Sequence, residues 1–260
     1  MDKGSGRLLV EDRGAVRVLT LSNPARRNAL DFGLLVRLRE ELADSAGGGV
    51  RCVVLRGEGE KAFCAGMDLD AVHEKGSSGV RTLSALENAM RAVEAAPPVV
   101  GFLNGVAYGS GCELACACDL RVARAGISLC TTPTKLGLVY SAEGIARVAA
   151  VVGLARARQM FLTARPVAAR TALSWGLVDE VLPARRAFAR ALELAQQIAE
   201  NAPLALMGTK QALAMLAKPR LDRRERLQIA RLHDTSFASE DAREALRAFR
   251  ERRKPRFKGR

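Results

Sequence analysis

Tyr108-Gly109-Ser110-Gly111-Cys112-Glu113-Leu114 is the stretch on which the reading of this chain turns. A glycine-rich turn runs directly into an apolar helix, and one acid stands in that helix's first turn. The first N–H groups of a helix have no intrahelical partner, so such a turn aims backbone donors outward. A companion lies upstream, Ala62-Phe63-Cys64-Ala65-Gly66-Met67-Asp68-Leu69, where an apolar strand breaks at a glycine. Two such junctions facing each other would hold an oxyanion between fixed donors, with a carboxylate beside it. Other glycine motifs do not fit. Leu114 stands where a dinucleotide fingerprint needs Gly or Ala, and Tyr108 and Cys112 stand where a nucleophile elbow needs its two glycines.

Outward from these junctions the first half alternates strand and helix signals. Val16–Leu21 is β-branched and ends at the turn Ser22-Asn23-Pro24. Leu30, Leu34, Leu38 and Leu42 recur at helical spacing up to a stop near Gly47. Cys52–Leu55, Pro98–Leu103 and Leu120–Ala123 are short apolar runs, read as buried strands. Strands of this kind alternating with helices predict an α/β fold with largely parallel pairing. From about Gly144 the pattern turns helical, with a brief extended interruption at Leu177–Leu182. Helices are expected over 184–200, 203–217 and 221–237. Ser239 should cap a last one that presents Ala242, Leu246 and Phe249 on one face.

Composition narrows the class. No apolar run reaches the ~18–20 residues of a membrane-spanning helix, and Met1–Arg7 has no apolar core after a basic start. The expectation is a cytoplasmic protein without a membrane partner. Cys52, Cys64, Cys112, Cys116, Cys118 and Cys130 read as buried free thiols, with no metal expected. The formal net charge is +13, and Lys218–Arg260 alone holds 15 basic and 7 acidic residues. A tail of this kind suits nucleic acid, the phosphates of a nucleotide-like handle, or plain solvation. Its lack of Tyr and Trp argues against nucleic acid.

With Arg27-Asn28-Ala29-Leu30 upstream and Cys118-Asp119 downstream, the two junctions together resemble the crotonase (enoyl-CoA hydratase/isomerase) superfamily, over nearly the whole chain. The resemblance implies a spiral of ββα units over 1–195 and a helical C-terminal region, 196–260, that packs trimers or dimers of trimers. It implies an acyl-CoA thioester substrate and an enolate intermediate. No cofactor is implied beyond the coenzyme A carried by the substrate.

Residue by residue, the resemblance makes the Met67 and Ser110 N–H groups the oxyanion donors and Glu113 a catalytic acid/base. Coenzyme A would lie along Ala25, Arg27, Ala65, Asp68 and Leu69. The basic C-terminal segment around Phe249–Phe257 would reach a neighbouring subunit's coenzyme A. One position departs from the pattern: Pro133 stands where hydratases of the family carry a second glutamate, and a one-residue shift offers only Thr134. Tyr140, Ser141 and Glu143 are the nearby replacements, Glu143 being the acid among them. The departure weakens hydration, and weakens isomerisation more. Hydration of a trans-2-enoyl-CoA is the activity expected first. Double-bond isomerisation, thioester hydrolysis, or a catalytically impaired CoA- or RNA-binding relative are the rivals.

Overall fold

The computed structural model describes residues 6–47, 49–68, 77–201, 203–217, 227, 230, 231, 234, 235, 238–253, 255 and 256. The expected helix over 221–237 lies mostly outside them.

Strands β1 (Arg7–Arg13), β2 (Val16–Ser22), β3 (Cys52–Gly57), β5 (Val99–Leu103), β7 (Leu120–Arg124) and β10 (Glu180–Leu182) form one sheet in the order β1-β2-β3-β5-β7-β10. Only the β1–β2 pair is antiparallel. Strands β4 (Ala62–Cys64), β6 (Val106–Tyr108), β8 (Ser128–Cys130) and β9 (Val167–Ala168) form a second sheet in that order. Chain order explains the shape. β3 leads to β4, β5 to β6 and β7 to β8, so each turn lays one strand in the large sheet and the next in the small one. Helices return the chain: α1 (Phe32–Gly47), α2 (Ser77–Ala95), α3 (Ser110–Ala117) and α4 (Ala142–Thr163). This is the ββα spiral expected from the resemblance.

Cys52–Leu55 and Val99–Leu103 are continuous apolar runs because the parallel strands are covered on both faces. Val53, Leu55, Val99, Leu103 and Ala123 point into the main core with α1, α2 and α3. Their alternates Cys52, Val54, Val100, Phe102 and Val122 point the other way. There they meet α6 (Ala184–Ala199), which follows the short α5 (Ala169–Ser174) and turns Ala187, Ala191, Ala195 and Ala199 onto the sheet. Residue 195, the expected edge of the core, therefore sits inside a helix that covers it. Asp119 ties the next helix, α7 (Pro203–Ala217), to the sheet by accepting from the Val99 N–H and the Lys210 ammonium, both at 2.7 Å.

The helices differ in detail from the expected ones. Leu30 lies outside α1 and bridges Met67 instead. The long helix begins at Ala142, with the Ser141 hydroxyl accepting from the Gly144 N–H at 3.1 Å, and it bends at Gly153 (φ 76°). The C-terminal helix α8 (Glu240–Arg250) is capped by Ser239 as expected, but its buried face is Ala242, Glu244, Ala245 and Ala248; Phe249 is 64% exposed. Leu246 and Phe249, expected on one face with Ala242, line a cavity.

Candidate active site

The two junctions of the opening motif are neighbours in space. Gly111 packs against the Cys64 carbonyl so closely that an added Cβ would stand 2.1 Å from it. Only glycine lets α3 start there. Gly66 turns the chain with φ +106°, and a Cβ there would come within 3.5 Å of the Ser110 nitrogen. The loops carrying Met67 and Ser110 are therefore in direct contact.

The direction of the Met67 N–H follows from the bridge. Leu30 donates to the Gly66 carbonyl and accepts from the Asp68 N–H, both at 2.8 Å. In parallel pairing these bonds use the residues on either side of Met67, so its own N–H faces away from Leu30. Ser110 is the first residue of α3, and the Gly109 carbonyl takes the N–H groups of Cys112 and Glu113. The Ser110 N–H is thus one of the helix's unclaimed donors. Both residues line one cavity of about 1200 Å³.

Glu113 lines the same cavity yet is only 4% exposed. Its Oε1 accepts from Arg147 Nη1 at 2.8 Å. Burial pushes this carboxyl up to about 7 even though Arg147 pulls it down, and the charges of Glu87 and Glu94 add to the rise. A carboxyl poised there can either take or give a proton near neutral pH.

Pro133 is buried, lines the cavity, and opens a short 3-10 turn, Pro133–Leu136. Thr134, the shifted alternative, points elsewhere: its hydroxyl donates to the Phe161 carbonyl at 2.9 Å. The groups near Pro133 that do face the cavity include Thr132, Tyr140, Ser141 and Glu143. Ser141 is occupied as the cap of α4. Glu143 stands half-buried in that helix's first turn. The Tyr140 hydroxyl is buried with no hydrogen bond within 3.5 Å, and burial pushes it well above its ordinary range.

Of the residues expected to hold coenzyme A, Ala25, Arg27, Ala65 and Asp68 all line the cavity. The Ala65 N–H donates to the Arg27 carbonyl at 3.0 Å, which joins the two segments. Asn28 fixes this loop from behind: its amide donates to the Glu58 and Ala62 carbonyls at 3.0 and 2.8 Å. Asp68 forms an ion pair with Arg26. Leu69 lies outside the described residues. The C-terminal segment contributes Leu246, Phe249, Arg250, Arg253 and Pro255 to this chain's own cavity.

Sequence reasoning missed Arg147 and its partners. Its guanidinium meets Glu113, Glu87 at 2.8 and 3.0 Å, and Glu94 at 2.7 Å. The signal was present: Arg147 is a lone cation in the apolar run Gly144-Ile145-Ala146-Arg147-Val148-Ala149, and Glu87 and Glu94 are seven residues apart on one face of α2.

The model of the enoyl-CoA hydratase/isomerase family matches residues 11–260. The 2,3-dehydroadipyl-CoA hydratase of Escherichia coli is 34% identical, over 97% of this chain and 99% of that protein. The short-chain-enoyl-CoA hydratase of Clostridium acetobutylicum is 32% identical, over 95% of each. Among solved structures, methylmalonyl-CoA decarboxylase in complex with 2-nitronate-propionyl-CoA superposes with a TM-score of 0.90 at 28% identity, covering 97% of this chain and 98% of that one. A family match over nearly the whole length, on a spiral that brings two glycine junctions to one cavity, leaves a single conclusion: this chain belongs to the enoyl-CoA hydratase/isomerase family, whose substrates are acyl-CoA thioesters.

Proposed function

We propose that this enzyme hydrates a trans-2-enoyl-CoA to the 3-hydroxyacyl-CoA, with Glu113 as its proton carrier. The observation that carries the reading is the buried Glu113 carboxyl facing one cavity with the unclaimed N–H groups of Met67 and Ser110. Ionised Glu113 takes a proton from water as the water oxygen bonds to Cβ. The π electrons move onto the thioester oxygen, where the two N–H donors hold the negative charge. The enolate then takes the same proton from Glu113 at Cα. Water is added, and nothing is left over that would need a further cofactor. Ala25, Arg27, Ala65 and Asp68 border the coenzyme A handle in this reading. Glu143, on the same cavity wall, is a secondary acid.

The test is crotonyl-CoA hydration followed across pH. Because the active form is ionised, kcat/KM should fall on the acid side with a midpoint near the value of about 7 set by the site. It should level off above that. A rate that instead falls as pH rises through 7 would make Glu113 a donor in the rate-limiting step and overturn the single-carrier scheme.

A second reading rests on Pro133 and on the likeness to methylmalonyl-CoA decarboxylase. Loss of CO₂ from a 2-carboxyacyl-CoA needs the oxyanion donors but no second acid. The C–C bond to the carboxylate breaks and CO₂ leaves, the bonding electrons form a thioester enolate held by the same two N–H donors, and Cα then takes a proton from water. An acid at position 133 would repel the substrate's carboxylate. Pro133→Glu therefore separates the readings: it should raise crotonyl-CoA hydration by at least tenfold if hydration is native, and depress release of CO₂ from a 2-carboxyacyl-CoA if decarboxylation is.

Assembly as a trimer or a dimer of trimers belongs to the same proposal. It is supported by exposed Leu154 and Leu162 on α4 and Leu173 on α5, and is tested by light scattering on the eluted protein. Among the described residues, no helix is long and apolar enough to cross a membrane.

A further inference from the structure

Arg147 is 9% exposed and joins three carboxylates from two helices. Nε donates to Glu94, and the two Nη atoms grip Glu87 as a fork. Nη1 also reaches Glu113. Glu87 and Glu94 come from α2, Glu113 from α3 and Arg147 from α4, so one cation links three walls around the cavity. Gly144, one helical turn before Arg147, packs on the same carboxyl: a Cβ there would stand 3.0 Å from Glu113 Oε1 and 3.1 Å from Oε2. With Oε1 taken by Arg147 and the carboxyl backed by Gly144, Oε2 is the oxygen free to meet a reacting molecule.

We propose that Arg147 is a positioning residue for this reaction, acting through Glu113: it fixes which carboxyl oxygen faces the acyl group, and Glu87 fixes Arg147 in turn. The inference rests on the assignment of Glu113 above. The charge balance supports it. One guanidinium cannot neutralise three carboxylates. Glu94 keeps 42% of its side chain exposed, whereas Glu113 keeps 5%. Burial also pushes Glu87 up, but Arg147 and Arg91 outweigh it and hold that carboxyl below its ordinary value. The negative charge therefore stays on Glu87, and Glu113 is left as the carboxyl that exchanges its proton. The groups that face Glu113 are Arg147 from α4, Glu87 and Glu94 from α2, Tyr140 from the segment before α4, and the Cys112 and Cys116 thiols of its own helix.

The test is the pH profile of crotonyl-CoA hydration in Arg147→Lys, Glu87→Gln and Glu113→Gln. Lysine keeps a charge but loses the fork. Arg147→Lys should lower kcat about 10–100-fold through misplacement of the carboxyl, with KM within about twofold. It should also move the acid limb up by about 0.5–1 pH unit, roughly 3–10-fold in rate at pH 6. Glu87→Gln removes a like charge and should move the limb down. Should Arg147→Lys fail to fold, the Glu87→Gln limb decides alone. Folded variants whose limb stays at the wild-type position would overturn the inference. If Glu113→Gln keeps full activity, the assignment of Glu113 itself has failed, a result distinct from an unmoved limb in a protein that Glu113→Gln inactivates.

Discussion

Glu113→Gln is expected to lower turnover of the native acyl-CoA by about 10²–10⁴-fold, the usual worth of a positioned acid/base, with binding of a saturated acyl-CoA unchanged. Glutamine is the informative replacement because its carbonyl oxygen can still accept from Arg147 Nη1. The three-helix junction stays joined, and only proton transfer is removed. Unfolding supplies an independent control. Burial, the largest cause, raises the folded-state value of Glu113 to about 7. Folding then favours the protonated form. The stability this contributes is complete below the unfolded value near 4.5 and is lost as pH rises through about 7. Glutamine cannot ionise. The variant should therefore melt at or above the wild type at pH 8, while the two converge near pH 4. Wild-type turnover in the variant would remove Glu113 from the chemistry, and a collapse in melting temperature at pH 8 would mean that the ionised carboxylate holds the junction together.

What could be read from sequence followed the reach of the forces involved. Strands β3 and β5 are buried on both faces and show as short apolar runs, whereas β2 and β7 are equally buried but are interrupted by Arg17 and Arg121. Strands β4, β6 and β8 are three residues long. That is too short for a period of two, and their pairing is set by contacts distant in sequence. β1 is an edge strand, mostly exposed, and its Arg7–Arg13 composition carries no alternation. The face of Ala242, Leu246 and Phe249 was legible, but not what it meets, because an apolar residue at helical spacing reads the same whether it faces a core or a ligand cavity. The oxyanion junctions were legible because glycine marks backbone geometry locally. The Arg147 cluster was legible only in part: a lone arginine in an apolar run and two glutamates on one helix face show locally, but the ion pairs that join them span 34 and 60 positions. Pro133 shows the converse: its identity was readable, but only the fold shows that Thr134 turns away while Thr132, Tyr140 and Glu143 face the cavity near it.

Ser110→Pro should abolish activity without unfolding the protein, and Ser110→Gly should keep it. The pair separates the backbone donor from the side chain. Ser110 is the first residue of α3, the one helical position where proline's fixed φ suits the chain and its missing N–H breaks no intrahelical bond. The helix's own bonds at this end run from Cys112 and Glu113 to Gly109 and do not use the Ser110 N–H. Proline thus deletes one oxyanion donor and puts its ring carbon in that place. Loss of one such donor costs about 10²–10³-fold in kcat, about 2.7–4 kcal/mol, and the ring adds a steric block. Glycine at the same position leaves the N–H in place and removes a hydroxyl that faces Tyr140. Its turnover should stay within about threefold of the wild type, since a first-turn glycine costs the helix at most about 1 kcal/mol. A folded Ser110→Pro enzyme with wild-type kcat would show that the oxyanion is held elsewhere. A Ser110→Gly enzyme as impaired as the proline variant would transfer the role from the backbone to the Ser110 hydroxyl.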